Sequence, residues 1–98
     1  MAWAYVQDVE DGSLEDYDRV SAELQKRSGD TPPQGLILHA VGGHGNGMRI
    51  IDVWESEDAY QRFREEQLVP AMEAAMPGAM AQGPPRMEPL ELHNLIRP

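Results

Sequence analysis

Two residues in the middle of the chain have types and spacing suited to proton chemistry. His39 and Asp52 stand thirteen positions apart, on either side of the glycine-rich stretch Gly42-Gly43-His44-Gly45-Asn46-Gly47. Both flanks of that stretch read as strands, and a hairpin centred on Gly45-Asn46 would set His39 and Asp52 opposite each other. A histidine ionises near pH 6.5, and a carboxylate at its back orients it as a general base. The plainer reading of Asp52 is a partly solvated acid bonded to Tyr, Arg or backbone. An apolar strand that carries a carboxylate must find it a partner, because an unpaired buried charge is costly.

His93 is the second histidine in an apparent strand. With His39 and Asp52 it forms a two-His, one-carboxylate set on paper. No short-range ligand spacing supports a metal site there. The run from Gly42 to Gly47 does not qualify as a phosphate loop, because a strand follows it rather than a helix. His44 within it is expected in solvent. Met72, Met76, Met80 and Met87 are adaptable side chains that fill a core or line a ligand entrance. The acids Glu57, Asp58, Glu65, Glu66 and Glu73 read as a solvated helix face.

Six elements must position these residues. Residues 2–9 read as a strand ending at the turn Glu10-Asp11-Gly12. Ser13 is a helix N-cap with Glu15 and Asp16 behind it. Leu14, Tyr17, Val20 (or Ser21) and Leu24 then come at helical spacing, and Gly29 closes a helix over residues 14–28. Thr31-Pro32-Pro33-Gln34-Gly35 breaks the chain. Strands are predicted over 36–41 and 48–55. Ser56 caps a second helix over 57–76, with Pro70 expected to kink it or split off a final turn. A loop over 77–86 leads to a last strand over 90–96. The order β-α-β-β-α-β is the ferredoxin-like α+β pattern: a four-stranded antiparallel sheet with two helices on one face.

Strand parity divides the side chains into two sets. Ala2, Ala4, Val6, Leu36, Leu38, Ala40, Arg49, Ile51, Val53, Leu90 and Leu92 form one. It is nearly all aliphatic, and it is predicted to lie under the helices. Trp3, Tyr5, Gln7, Ile37, His39, Val41, Ile50, Asp52, Trp54, Glu91, His93 and Leu95 form the other. That aromatic and polar face is predicted to be bare within one chain and covered by a second copy, because large aromatics are costly to leave in water. A single β-bulge would invert the assignment locally.

The stretch 47–64, GMRIIDVWESEDAYQRFR, resembles the third-strand to second-helix junction of the dimeric α/β-barrel proteins. These include the antibiotic biosynthesis monooxygenase (ABM) family and its haem-degrading relatives. The element order and length agree over nearly the whole chain. The resemblance implies a homodimer with a pocket between each subunit's sheet and its helices or within the barrel, and a small hydrophobic, aromatic or polyketide-like ligand. It implies that Trp54 lines the pocket and that Gln7 stands near the place of an asparagine that positions substrate or oxygen in several members. The haem-degrading branch carries an axial histidine on its second helix, and residues 57–76 contain none.

Length and charge bound the rest. The chain has 98 residues, no cysteine, 8 basic and 17 acidic side chains and a net charge of −9. One domain over residues 1–98 is expected. A chain this short buries only about 60–70% of its unfolded surface, so a roomy pocket is expected to need a partner subunit. The negative charge disfavours nucleic acid and anionic membrane surfaces, and no apolar run reaches the roughly 18–20 residues of a membrane helix. The N-terminus has no basic region of the kind that starts a signal peptide, so a cytoplasmic protein is expected.

No thiolate, serine triad or dinucleotide fingerprint is present, and no cofactor is expected. Together with the resemblance, this fits a cofactor-free monooxygenase with His39 and Asp52 as catalytic pair. Trp3, Tyr5, Gln7, Ile50, Trp54 and His93 would be its substrate-binding residues, with Gln7 and Tyr5 holding an oxyanion. A non-catalytic binder of a hydrophobic ligand, and a cyclase or isomerase on the same scaffold, are the alternatives.

Overall fold

A computed structural model describes residues 2–78 and 87–97. Strand β1 spans Trp3–Val9 and helix α1 spans Leu14–Ser28. The hairpin β2–β3 spans Leu36–His44 and Gly47–Trp54. Helix α2 (Glu57–Phe63), a π-helical turn (Arg64–Leu68) and helix α3 (Val69–Ala75) run on without a break, and strand β4 covers Met87–Glu91. The sheet is antiparallel in the order β2-β3-β1-β4. This is the ferredoxin-like α+β fold read from the element order.

Local chemistry sets the element ends. The Ser13 hydroxyl accepts from the Asp16 N–H, and Gly29 closes α1 at φ 65°. Ser56 caps α2 in the same way, accepting from the Ala59 N–H. These serines meet backbone donors that a helix start otherwise leaves open. The β2–β3 turn is only Gly45-Asn46, with Gly45 at φ 57°, so the strands continue through most of the expected six-residue loop. Its tip, His44 included, is exposed as expected.

The two faces of the sheet are the reverse of the expectation. The helices cover the aromatic and polar face, where Trp3, Tyr5 and Trp54 bury against Tyr60 of α2. The bare face is the aliphatic one, with Leu38 51%, Ile51 41% and Leu90 58% exposed. The physical reason lies in the polar groups. Asp52, Tyr5, Trp54 and His39 bond one another, so that face can lie under helices without orphaned donors. The large aromatics also gain the most from the cover, about 150–250 Å² each. A bulge between Leu36 and Leu38 adds a local inversion, which turns Leu36 to the helix side while Leu38 faces out.

Strand β4 lies earlier than predicted. It pairs with β1 from Met87 opposite Gln7 to Glu91 opposite Trp3. Pro89 falls within it, which the sheet tolerates because β4 is an edge strand, where a missing N–H costs no ladder bond. Leu92 adds one further bond to the Ala2 carbonyl, and His93 and Leu95 lie beyond the strand, exposed. The predicted loop over 77–86 lies largely outside the described residues, and Met80 with it.

The kink expected at Pro70 takes the form of the π turn. The Val69 N–H bonds the Arg64 carbonyl, five residues back instead of four. The extra residue also rotates the helix beyond it. An unbroken α-helix would extend the inward stripe of Tyr60 and Arg64 to Ala71 and Ala75. With the π turn the stripe passes to Leu68, Met72 and Met76, and Ala71 is fully buried instead.

Candidate functional site

Helix α1 carries an inward stripe of Tyr17, Val20, Ser21 and Leu24, yet none of its residues is fully buried. The stripe faces a cavity. A space of about 670 Å³ lies between α1, the sheet and the stripe that runs from Tyr60 to Met76. This volume falls within the range of small-molecule sites. It is formed within one chain, against the expectation that a roomy pocket needs a partner. The α1 stripe bounds empty space instead of packing into the sheet, which is how so short a chain forms it. The Ser28 hydroxyl bonds Gln67 Oε1 at 2.8 Å and ties the end of α1 to the π turn.

Asp52 is the polar centre of the wall. It is 3% exposed and accepts three hydrogen bonds. Tyr5 Oη donates to Oδ2 at 2.9 Å and Trp54 Nε1 donates to the same oxygen at 3.1 Å. His39 Nδ1 lies 2.5 Å from Oδ1. The register brings this about: Asp52 is the partner of Tyr5 on one side and of His39 on the other. The hairpin expected from the thirteen-residue spacing is the one observed.

His39 is about a third exposed and lies at the cavity wall. The hydrogen bond to Asp52 holds its pKa above the ordinary value, and partial burial works against that shift. A carboxylate can only accept, so Nδ1 carries a proton and a neutral ring offers its lone pair at Nε2. The Tyr17 hydroxyl sits 2.5 Å from Nε2, and its ring lies nearly parallel to the imidazole at 5.9 Å and 11°. The result is a chain from Tyr17 through His39 to Asp52.

Burial raises the pKa of Tyr5, and the negative charge of Asp52 adds to it. Burial also raises Tyr60. Both phenols therefore stay protonated. The Tyr5 proton is committed to Asp52, so Tyr5 supports the carboxylate and is not an oxyanion donor. This corrects the role expected for it.

Tyr5, Gln7, His39, Ile50, Asp52 and Trp54 all line the cavity. Trp3 does not. It packs in the aromatic core, 5.7 Å from Tyr5 and 5.2 Å from Tyr60 between ring centres. His93 does not either, since it lies exposed after β4. Among the described residues no group of three or more His, Asp or Glu is gathered to hold a metal ion, so the two-His set stays apart. Nor, among them, is any helix long and apolar enough to cross a membrane.

Tyr17, Tyr60, Phe63 and Arg64 also line the cavity, and no motif marks them for it. In the sequence Tyr17 is legible only as one member of an apolar stripe. Tyr60 and Phe63 frame Trp54, with ring centres 5.6 and 5.3 Å away. Arg64 is the one permanently cationic side chain among the described lining residues. Met72 and Met76 line the cavity, the rarer of the two roles open to such methionines.

No protein-family model matches the chain, and no curated protein matches it. Solved structures do. A protein from Caulobacter crescentus CB15, named as a candidate antibiotic biosynthesis monooxygenase, superposes with a TM-score of 0.60 at 18% identity. That match covers 95% of this chain and 89% of the other. NE2512 from Nitrosomonas europaea, of unknown function, gives 0.61 at 18% identity over 99% and 92%. A mutant of SnoaB from Streptomyces nogalater, named as a cofactor-independent oxygenase, gives 0.55 at 14% identity over 97% and 94%. At these identities the shared feature is the fold, and the chain has the ferredoxin-like fold of these structures.

Proposed function

We propose that the cavity is the active site of a cofactor-independent monooxygenase acting on a flat aromatic or polyketide-like molecule. One observation carries this reading: a histidine, oriented by a buried carboxylate, stands at the wall of a cavity lined by aromatics and methionines. The likeness to SnoaB agrees with it at the level of fold.

The chemistry balances without a resident group. His39 is the base that a proton from an activated CH2 of the substrate, released as the O–H of its enol form, finally reaches. The carbanion passes an electron to dioxygen, and the radical pair joins as a C–O bond. Loss of the second hydrogen as a proton, with cleavage of the O–O bond, leaves a ketone. The departing oxygen leaves as water. The sum is CH2 plus O2 giving C=O plus H2O. Gln7 and Arg64 line the cavity and suit the substrate oxygen on which negative charge gathers.

Oxygen uptake tests the reading. With electron-rich phenols and anthrone-like ketones, one dioxygen is expected per product. A substrate that binds, quenches tryptophan fluorescence and consumes no oxygen would make the protein a binder or isomerase instead.

The bare aliphatic face is the surface on which two copies would pair. Val6, Leu38, Ala40, Ile51, Val53 and Leu90 share it. Sedimentation is expected to give a dimer at micromolar concentration. Leu38→Lys is expected to give a folded monomer, since a charge buried in such an interface lacks a partner. A wild-type monomer would contradict the pairing.

A further inference from the structure

Both ring nitrogens of His39 are already engaged. Nδ1 faces Asp52 and Nε2 faces the Tyr17 hydroxyl, each at 2.5 Å. While Tyr17 stays in place, no ligand can reach the imidazole lone pair. The Tyr17 oxygen is different. A phenol that donates one hydrogen bond still has lone pairs to accept another. Tyr17 lines the cavity, and its ring is held parallel to the imidazole.

We propose that Tyr17 is the group that receives a ligand's proton, passing its own to His39 Nε2 in the same event. The inference rests on the reading of His39 as base. The O–H bond of the ligand breaks and a new O–H forms on Tyr17. The original Tyr17 O–H breaks as Nε2–H forms. Asp52 keeps its charge and steadies the imidazolium. The ligand is left as an oxyanion, and Tyr17 ends the event neutral.

This mechanism selects a ligand class. The net transfer runs from the ligand O–H to the His39 imidazole, so it favours donors whose acidity approaches that of the imidazolium. The arrangement therefore suits phenols and enolised ketones and passes over aliphatic alcohols. The anion that results shares its cavity with Arg64.

A chromophoric phenol tests this without knowledge of the natural substrate. The probe is 4-nitrophenol, whose anion is yellow. Quenching of tryptophan fluorescence reports binding, and absorbance reports ionisation of the bound probe. The wild type is expected to bind it and turn it yellow at a pH where the free phenol is colourless. Tyr17→Phe is expected to keep affinity within about threefold, the worth of one modest hydrogen bond. It is expected to lower the bound anion about tenfold, one pKa unit. His39→Gln is expected to lose the yellow form as well.

Nitrogen NMR supplies the control in Tyr17→Phe. His39 should still titrate above its ordinary value, because Asp52 sets that shift. A return to the ordinary value would mark Tyr17 as merely structural and overturn the relay. Undiminished yellow in Tyr17→Phe would overturn the relay and leave the base reading intact. A wild type that binds the probe without colour, or does not bind it, would overturn the base reading and the relay together.

Discussion

Replacing Asp52 with alanine is expected to lower stability by about 3–5 kcal/mol. Tyr5 Oη and Trp54 Nε1 both donate to one oxygen of this buried side chain. Without it both donors remain inside the wall with no acceptor. Each such orphan costs about 1–3 kcal/mol. For a domain of this length the loss corresponds to about 12–40 °C in Tm. Thermal unfolding followed by near-ultraviolet dichroism measures it, since the tryptophans and tyrosines of the core report directly. A shift of only a few degrees would mean that the donors find other partners.

Asp52→Asn separates geometry from charge. The amide retains the shape, but it has one acceptor oxygen for three donors. Either Tyr5 and Trp54 or His39 then meets the NH2 group. Where His39 meets it, the ring must accept at Nδ1 and carry its proton at Nε2. The face toward Tyr17 is then a donor and cannot act as a base. Activity is expected to fall far more than stability in this variant.

His39→Gln is expected to reduce oxygen uptake by about 10²–10⁴, the usual worth of a positioned general base. The pH dependence has a definite sign. The neutral ring is the base, so the wild-type rate rises with pH through the raised pKa of His39. Stability moves the other way. The folded pKa lies above the unfolded value of about 6.5. The contribution of protonated His39 is therefore complete below that value and fades as pH rises through the folded pKa. Urea midpoints of the wild type should fall relative to His39→Gln across that interval. Parallel midpoints at all pH values would show that the His39–Asp52 ion pair adds nothing to stability.

The strand and helix pattern was legible because it rests on local chemistry. Ser13, Gly29 and Ser56 cap helices wherever they precede or follow an amphipathic run, and α1 falls on the predicted residues. The His39–Asp52 pair was legible for a related reason. A two-residue Gly-Asn turn sets a register, and a register sets cross-strand partners.

What parity could not supply was the side on which the helices lie. A face with His, Gln and Asp looks unfit to be covered until its hydrogen bonds are known. Asp52 makes it fit, because three donors converge on one carboxylate. From the residue pattern alone the cavity was hidden for a similar reason, although the resemblance implied a pocket between sheet and helices as one alternative. Helical spacing marks Tyr17, Val20 and Leu24 as an inward stripe but does not say whether side chains or empty space lie opposite. The one-residue shift at the π turn, which brings Met72 and Met76 inward in place of Ala71 and Ala75, has no signature beyond Pro70.

The hydrogen-bonded state of His39 decides whether a base faces the cavity, and nitrogen NMR of the imidazole across a range of about pH 5 to 9 reads it directly. The expected spectrum keeps the proton on Nδ1 throughout, with Nε2 losing its proton above the ordinary histidine value. A neutral ring with its proton on Nε2, or a titration at or below that value, would show that Asp52 does not hold the ring and that the cavity has no base.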